Sequence, residues 1–416
     1  MRFASLRFVL CGLLFAAAAA AAPTTVPLPD VPVTLSAPTA VADSPGETLR
    51  LSLLTFAPGE TYWARFGHNA LLVENTVTGA NAVYNYGMFD FFQKNFFLNF
   101  ARGHMLYRLD VDTLDRTLRL YASEGRWVRQ QVLNLDAAQR LQLAQFLDAN
   151  ARPENAEYRY DYFRDNCSTR VRDAIDRVIA GALARTLKAE PAKVTYRHEA
   201  TRLMRPIPAL AVGMDAIMGY RGDAPMTRWE QSFVPEVFMQ AVDAQRVNGV
   251  PLVLQSRMLV ADSGRFVAPS KPLDFWLYAL SAGVLLALLL MRSGGRDSRW
   301  PFALLATPLL LLAGIGGLLM LAAWTLTEHW VMHANFSLVF FSPLALLLLP
   351  TAWRELLGKR HGQRGYPVAA FALRAWCGIA LVGGLTGLFW QDNILAWSLF
   401  WVPVLWGLQS GLRRRM

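Results

Sequence analysis

Cysteine is scarce in this chain, with three in 416 residues. Cys11 lies in an N-terminal segment with a basic start, an apolar stretch and an alanine run, which reads as a secretory signal over residues 1–22. Cys377 lies in a late apolar stretch. Neither can reach Cys167, so no disulfide is expected, and a chain that keeps an unpaired thiol outside the cytoplasm has a use for it. Histidine is also rare, at six residues. No Walker, dinucleotide-binding, zinc-ribbon or Gly-x-Ser-x-Gly pattern occurs and no internal repeat is visible, so no cofactor is implied.

Basic residues are missing from two stretches of the C-terminal third, 325–335 and 391–393. These alternate with loops and a tail rich in arginine: Arg292, Arg296 and Arg299; Arg354, Lys359, Arg360 and Arg364; Arg413, Arg414 and Arg415. Between them run five apolar segments, about 274–291, 302–324, 336–353, 367–390 and 394–409, each near the length that crosses hydrocarbon. The positive-inside rule then sets the C-terminus in the cytoplasm and the region before the first span outside, in the periplasm, on an inner membrane. Lys271 runs against the pattern without outweighing it, and Arg374 can snorkel to the near interface. The net charge of +10 and pI near 9.8 are largely these topological arginines. They imply anionic lipid headgroups and no nucleic acid.

Residues 23–46 are rich in Pro, Ala, Thr and Val without periodicity and read as a linker. The following 47–266 is long enough for one domain, and 267–416 is the all-α membrane domain of five transmembrane helices. Alternation predicts strands at 51–56, 68–74, 82–87, 106–111 and 126–133. Helical spacing predicts a helix over 136–150 capped by Asp136, and a second over 165–182. The pattern is α+β.

Asp165 or Asn166 can cap the second helix, which puts Cys167 in its first turn. There unpaired backbone N–H groups and the helix dipole favour a thiolate, and the polar neighbours Ser168 and Thr169 suggest an accessible one. Of the histidines before the membrane segments, His68 follows Gly67 at the start of an apolar strand, where a sheet can hold an imidazole rigidly; His104 and His198 lie in polar surroundings. The next strand offers Asn85 to orient that imidazole, with Tyr84 and Tyr86 open as alternatives because the register is not fixed.

Four segments carry a resemblance: Arg65-Phe66-Gly67-His68; Val83-Tyr84-Asn85-Tyr86-Gly87-Met88-Phe89-Asp90-Phe91; Phe100-Ala101-Arg102-Gly103; and Tyr158 through Arg170, which contains Asp165-Asn166-Cys167. In this order they resemble the Lnb-type lipoprotein N-acyltransferases, over about residue 49 to the C-terminus. The resemblance implies a permuted papain-like thiol fold, NlpC-like and LRAT-like, with His before Cys in the chain. It also implies acyl transfer through a thioester on Cys167 with His68 as base, from a phospholipid donor to the N-terminal amine of a lipoprotein acceptor, and Asn85, Asn166 and Asp165 are the orienting or oxyanion groups to consider. Two other classes compete: a membrane-tethered cysteine hydrolase acting on cell-wall peptides, and a non-enzymatic envelope assembly module.

Two further features await a role. Phe89, Phe91, Phe92, Phe96, Phe97 and Phe100 are dense enough for an acyl groove or a membrane-dipping edge, though aromatics most often fill a core. In the external stretch 325–335, His329 and His333 stand at i, i+4, too few to argue a metal site; with Asn335 they suggest a lipid or substrate contact.

Overall fold

The computed structural model describes residues 45–293, 300–356 and 366–413. The signal segment, nearly all of the linker and the basic residues Arg296, Arg299, Lys359, Arg360, Arg364, Arg414 and Arg415 lie outside the described residues. The described chain divides into two compact units, one of residues 45–207 and 224–272, the other of residues 208–223 together with the chain from 273 onward.

The first unit is a mixed α/β domain around a seven-stranded sheet. Its strands are β1 (Leu49–Phe56), β2 (His68–Asn75), β3 (Asn81–Met88), β4 (Leu106–Asp112), β5 (Val128–Leu133), β6 (Glu157–Arg159) and β7 (Val253–Val260), in the order β7-β5-β1-β2-β3-β4-β6, with every neighbouring pair antiparallel. β1 is central and buried on both faces, so its apolar residues alternate between two cores. Leu51 and Leu53 join Leu71, Tyr84 and Tyr86 on one face, against α3 (Ala137–Ala151) and α4 (Cys167–Val178). Leu54 and Phe56 join Ala70, Leu72 and Val83 on the other, against α2 (Leu114–Ser123). Each fully buried leucine contributes about 1.5–3 kcal/mol relative to exposure. The remaining helix labelled here, α1 (Phe96–Arg102), leads into β4.

Two sequence expectations are corrected. The helix expected to run to residue 182 ends at Val178: Ala180 and Gly181 adopt left-handed φ of 53° and 77°, and a new helix starts at Ala182. β7 was not anticipated, because most of its side chains are exposed and it shows no alternation of buried residues.

The second unit holds five segments long and apolar enough to cross a membrane. Four are α-helices, Trp276–Ser293, Trp300–Leu326, Tyr366–Gly387 and Ile394–Arg413. The third, Phe336–Trp353, is broken, with 3₁₀ turns at Phe336–Val339 and Pro343–Leu348 before an α-helical end. Pro343 supplies no N–H, and Ser342 caps the restart. Such backbone survives at membrane depth only where protein covers it, and here Gly317 does so: a Cβ at that position would lie 2.0 Å from the carbonyl oxygen of Phe341.

Asn335, expected from the sequence as a lipid or substrate contact, is turned into the interior of this unit. Its side chain is buried, donates to the carbonyls of Ala216 and Ile217 at 2.8 and 3.0 Å, and accepts from Ser337 N–H and the Gln391 amide. With Asn393 and Trp397 both donating to Asp215, it pins the short helix Pro208–Ile217 within this unit. The His333 imidazole contacts the Thr327 carbonyl through Nε2 at 2.9 Å, which folds the loop on itself.

Candidate active site

Helix α4 starts where its sequence says it must. Asn166 is the N-cap: its side-chain oxygen accepts from Thr169 N–H at 2.9 Å, and the Thr169 hydroxyl accepts from Asn166 N–H at 2.8 Å. A cap of this kind contributes about 1 kcal/mol. The Asn166 amide nitrogen also donates to the carbonyls of Tyr162 and Phe233, so Asn166 is fully used in positioning the helix. Asp165 lies just outside the helix and holds Arg170 in a two-point ion pair at 2.6 and 2.7 Å. Neither side chain is directed to the imidazole.

Cys167 is the first residue of α4 and is a free thiol. Contrary to the expectation of an accessible thiolate, it is only 7% exposed, and burial pushes its thiol up to about 11 against the opposing pull of N–H groups from Asn69, Ser168 and its own backbone. The polar neighbours that suggested solvent are themselves buried and satisfied. The Ser168 hydroxyl lies 2.8 Å from the Asn69 side-chain oxygen and 2.6 Å from the Ser232 carbonyl oxygen, and shares its one proton between them.

Asn69 joins the two halves of the site. Fully buried in β2, it donates its amide to Thr55 at 2.8 Å, accepts from Ser168, and directs its backbone N–H at the Cys167 sulfur. The next tie is Gly87. β3 carries a register shift between Asn85 and Met88, and Gly87 sits in it at φ +87°. A Cβ there would lie 3.4 Å from the Cys167 Cβ and 3.3 Å from the Tyr160 ring, so a residue without a side chain brings the sheet against the thiol.

His68 opens β2, in register with Phe56. Its ring packs 5.5 Å from the Phe56 ring, which stacks at 4.0 Å on Tyr121. Its Nε2 lies 3.3 Å from the Asn85 side-chain oxygen. The Asn85 amide nitrogen is committed to the Val83 carbonyl, so the oxygen faces His68 and can only accept. Nε2 therefore carries the proton, and Nδ1 keeps the lone pair. Burial, reinforced by the Arg126 guanidinium, lowers the His68 pKa to about 4, with the Asn85 contact opposing. Arg126 is itself anchored on the Ala57 carbonyl at 2.8 Å and over the Tyr121 ring. At neutral pH the site thus rests as a neutral thiol and a neutral imidazole. Among the described residues no hydrogen bond joins the two, and Asn69 is what links their elements.

The remaining histidines fall elsewhere. His198 lines a cavity of ≈ 390 Å³ with Glu199, Arg202 and Glu236, whose lining includes neither Cys167 nor His68. His104 follows the end of α1. Sequence reasoning gave no role to Asn69, Gly87 and Arg126, and read Ser168 only as a solvent-facing neighbour. The asparagine directly after His68 in an otherwise apolar strand was the available signal, since a buried strand carries such a residue only where it is hydrogen-bonded.

Residues 38–201 match the family model of the Lnb N-terminal periplasmic domain, and residues 268–381 match that of the Lnb transmembrane domain. No curated protein and no solved structure matches the chain.

Proposed function

The chain belongs to the Lnb family, as a multi-pass membrane protein with a periplasmic N-terminal domain, and on that premise we propose that it transfers a fatty acyl group through a thioester on Cys167. The donor is a phospholipid and the acceptor the N-terminal amine of a lipoprotein. The carrying observation is the thiol at a capped helix start, solvated by three backbone N–H groups, with an Asn-oriented imidazole on the strand that touches that helix start. In this reading the domain is a permuted papain-like fold, the protein sits in the inner membrane, and its C-terminus is cytoplasmic, as the arginine-rich loops favour.

The cycle follows from the resting protonation states. A neutral thiol and a neutral imidazole call for general-base catalysis: Nδ1 of His68 takes the thiol proton as sulfur attacks the ester carbonyl, a contact that closes once substrate is bound. The N–H groups around the sulfur stabilise the oxyanion. The C–O bond of the ester breaks, and His68 returns its proton to the departing lysophospholipid alcohol. The lipoprotein amine then attacks the thioester, His68 takes the amine proton, the C–S bond breaks, and that proton restores the Cys167 thiol. The products are an amide and the starting enzyme. Asn85 stabilises the transient imidazolium and keeps Nδ1 toward the reaction.

The test is mass spectrometry of a lipoprotein N-terminus from cells lacking other N-acyltransferases, with and without this protein. An amide-linked chain present only with the intact Cys167 protein supports the reading. An unchanged N-terminus sinks it.

A further inference from the structure

The aromatic residues of the stretch from the end of β3 through α1, together with Trp63 in the turn before β2, are neither all core nor all surface. Phe96 is buried, while Phe92 is 81% exposed, Phe97 58% and Trp63 41%. Ring contacts join the two populations: Trp63 to Phe91 at 5.9 Å, Phe91 to Phe96 at 5.1 Å, Phe96 to Phe97 at 5.3 Å and to Phe100 at 6.2 Å. From Phe100 the series continues through Tyr162 at 6.4 Å to Tyr160 at 5.6 Å, and Tyr160 flanks Gly87 beside Cys167. A continuous series of contacting rings thus leads from an exposed ledge to the edge of the thiol site.

Aromatic side chains present roughly 150–250 Å² each, so the ledge exposes on the order of several hundred Å² of contiguous apolar surface, the scale at which a patch marks an interaction face. Lys94 and Arg102 stand exposed on the same segment. The one carboxylate within it, Asp90, caps the local turn by accepting from Phe92 N–H. Aromatic rings flanked by cations suit the boundary between acyl chains and phosphate headgroups. The chain's own five apolar segments are long enough to cross a membrane, so the domain belongs to a chain anchored in a bilayer.

We infer that the ledge around Trp63, Phe92 and Phe97 inserts into the lipid surface, and that the series of rings behind it seats the acyl chain of a donor phospholipid on its way to Cys167. The inference rests on the acyl-transfer reading for the chain's destination, but not for the lipid contact itself.

The test is site-specific photocrosslinking in the full-length protein, in membranes whose phospholipids carry an alkyne-tagged acyl chain. The photocrosslinker p-benzoylphenylalanine replaces Phe92, Phe97 or, as control, Val77, which is 65% exposed in the turn at the far end of the β2–β3 hairpin. Each is placed in the wild-type and Cys167→Ala backgrounds. Light-dependent lipid adducts at positions 92 and 97, at least tenfold above position 77 in both backgrounds, are expected. Equal labelling at position 77 overturns the inference, as do adducts at 92 and 97 to protein alone, whether a second copy or another partner. Because the Cys167→Ala background performs no chemistry, lipid contact and acyl transfer fail separately: loss of the first leaves the lipoprotein assay untouched, and loss of the second leaves these adducts in place.

Discussion

Cys167 is expected to alkylate slowly at neutral pH and much faster in base. With its thiol pushed up to about 11, the thiolate fraction at pH 7 is ~10⁻⁴, against roughly 3% for an unperturbed cysteine and near unity for a thiolate held by an imidazolium. The rate with iodoacetamide therefore rises about tenfold per pH unit from 7 to 10, for a total near 10³. The readout is clean because Arg164 and Arg170 bracket the thiol: trypsin releases residues 165–170 with Cys167 as their sole cysteine, and timed quenching followed by mass spectrometry gives the rate at each pH. His68→Ala is expected to leave this profile nearly unchanged, since a neutral imidazole lends no charge to the resting thiol. A rate that is flat between pH 5 and 8 refutes the reasoning. It would mean that a preformed ion pair, and not burial, governs the sulfur.

Three more outcomes follow from the same contacts. Gly87→Ala places a methyl 3.4 Å from Cys167 and forces a left-handed φ of +87° that costs about 1–2 kcal/mol; acyl transfer is expected to fall at least tenfold while circular dichroism stays that of the folded chain. Asn85→Asp puts an anion beside His68 and raises its pKa by about 1–3 from its present value near 4; since the base works only when neutral, the acid limb of activity moves up by the same amount and pH 5 activity drops. The third concerns stability. His68 binds its proton less readily folded (about 4) than in the unfolded chain (6.5), so stability is complete above pH 6.5 and lost as pH falls toward 4. The loss is ~3 kcal/mol, measurable as a fall in Tm of the detergent-solubilised protein that His68→Gln abolishes.

Much of the frame was legible in local patterns. The alternation in β1 through β3 reported itself because one or both faces are buried, and the Asp136 and Asn166 caps are written in short polar side chains ahead of apolar spacing. Beyond the exposed strand β7, three more features were not. The end of α4 depends on left-handed Ala180 and Gly181, and alanine gives no warning of that conformation. The break in the third membrane segment comes from Ser342 and Pro343 inside a run whose hydropathy is uniform. The state of Cys167 was misread for a deeper reason. Asn166, Ser168 and Thr169 look like solvent-facing residues in one dimension, yet each finds its partner across the fold or within the cap. Asn166 and Thr169 satisfy each other, Ser168 is satisfied by Asn69 and Ser232, and all three are buried beside the thiol. The pairing of His68 with Asn85 was anticipated as one of three options, and the register that decides it depends on hairpin length and a bulge that the sequence does not specify.

The most direct measurement is to supply the purified protein in lipid nanodiscs with an isotope-labelled phospholipid, withhold any amine acceptor, and weigh the tryptic segment 165–170. The account expects that segment to carry the labelled acyl chain on Cys167, labile to neutral hydroxylamine, absent from His68→Ala, and discharged when a lipidated peptide with a free N-terminus is added. A segment that stays unmodified while the acceptor is nonetheless acylated, or an acyl chain found on another residue, contradicts it.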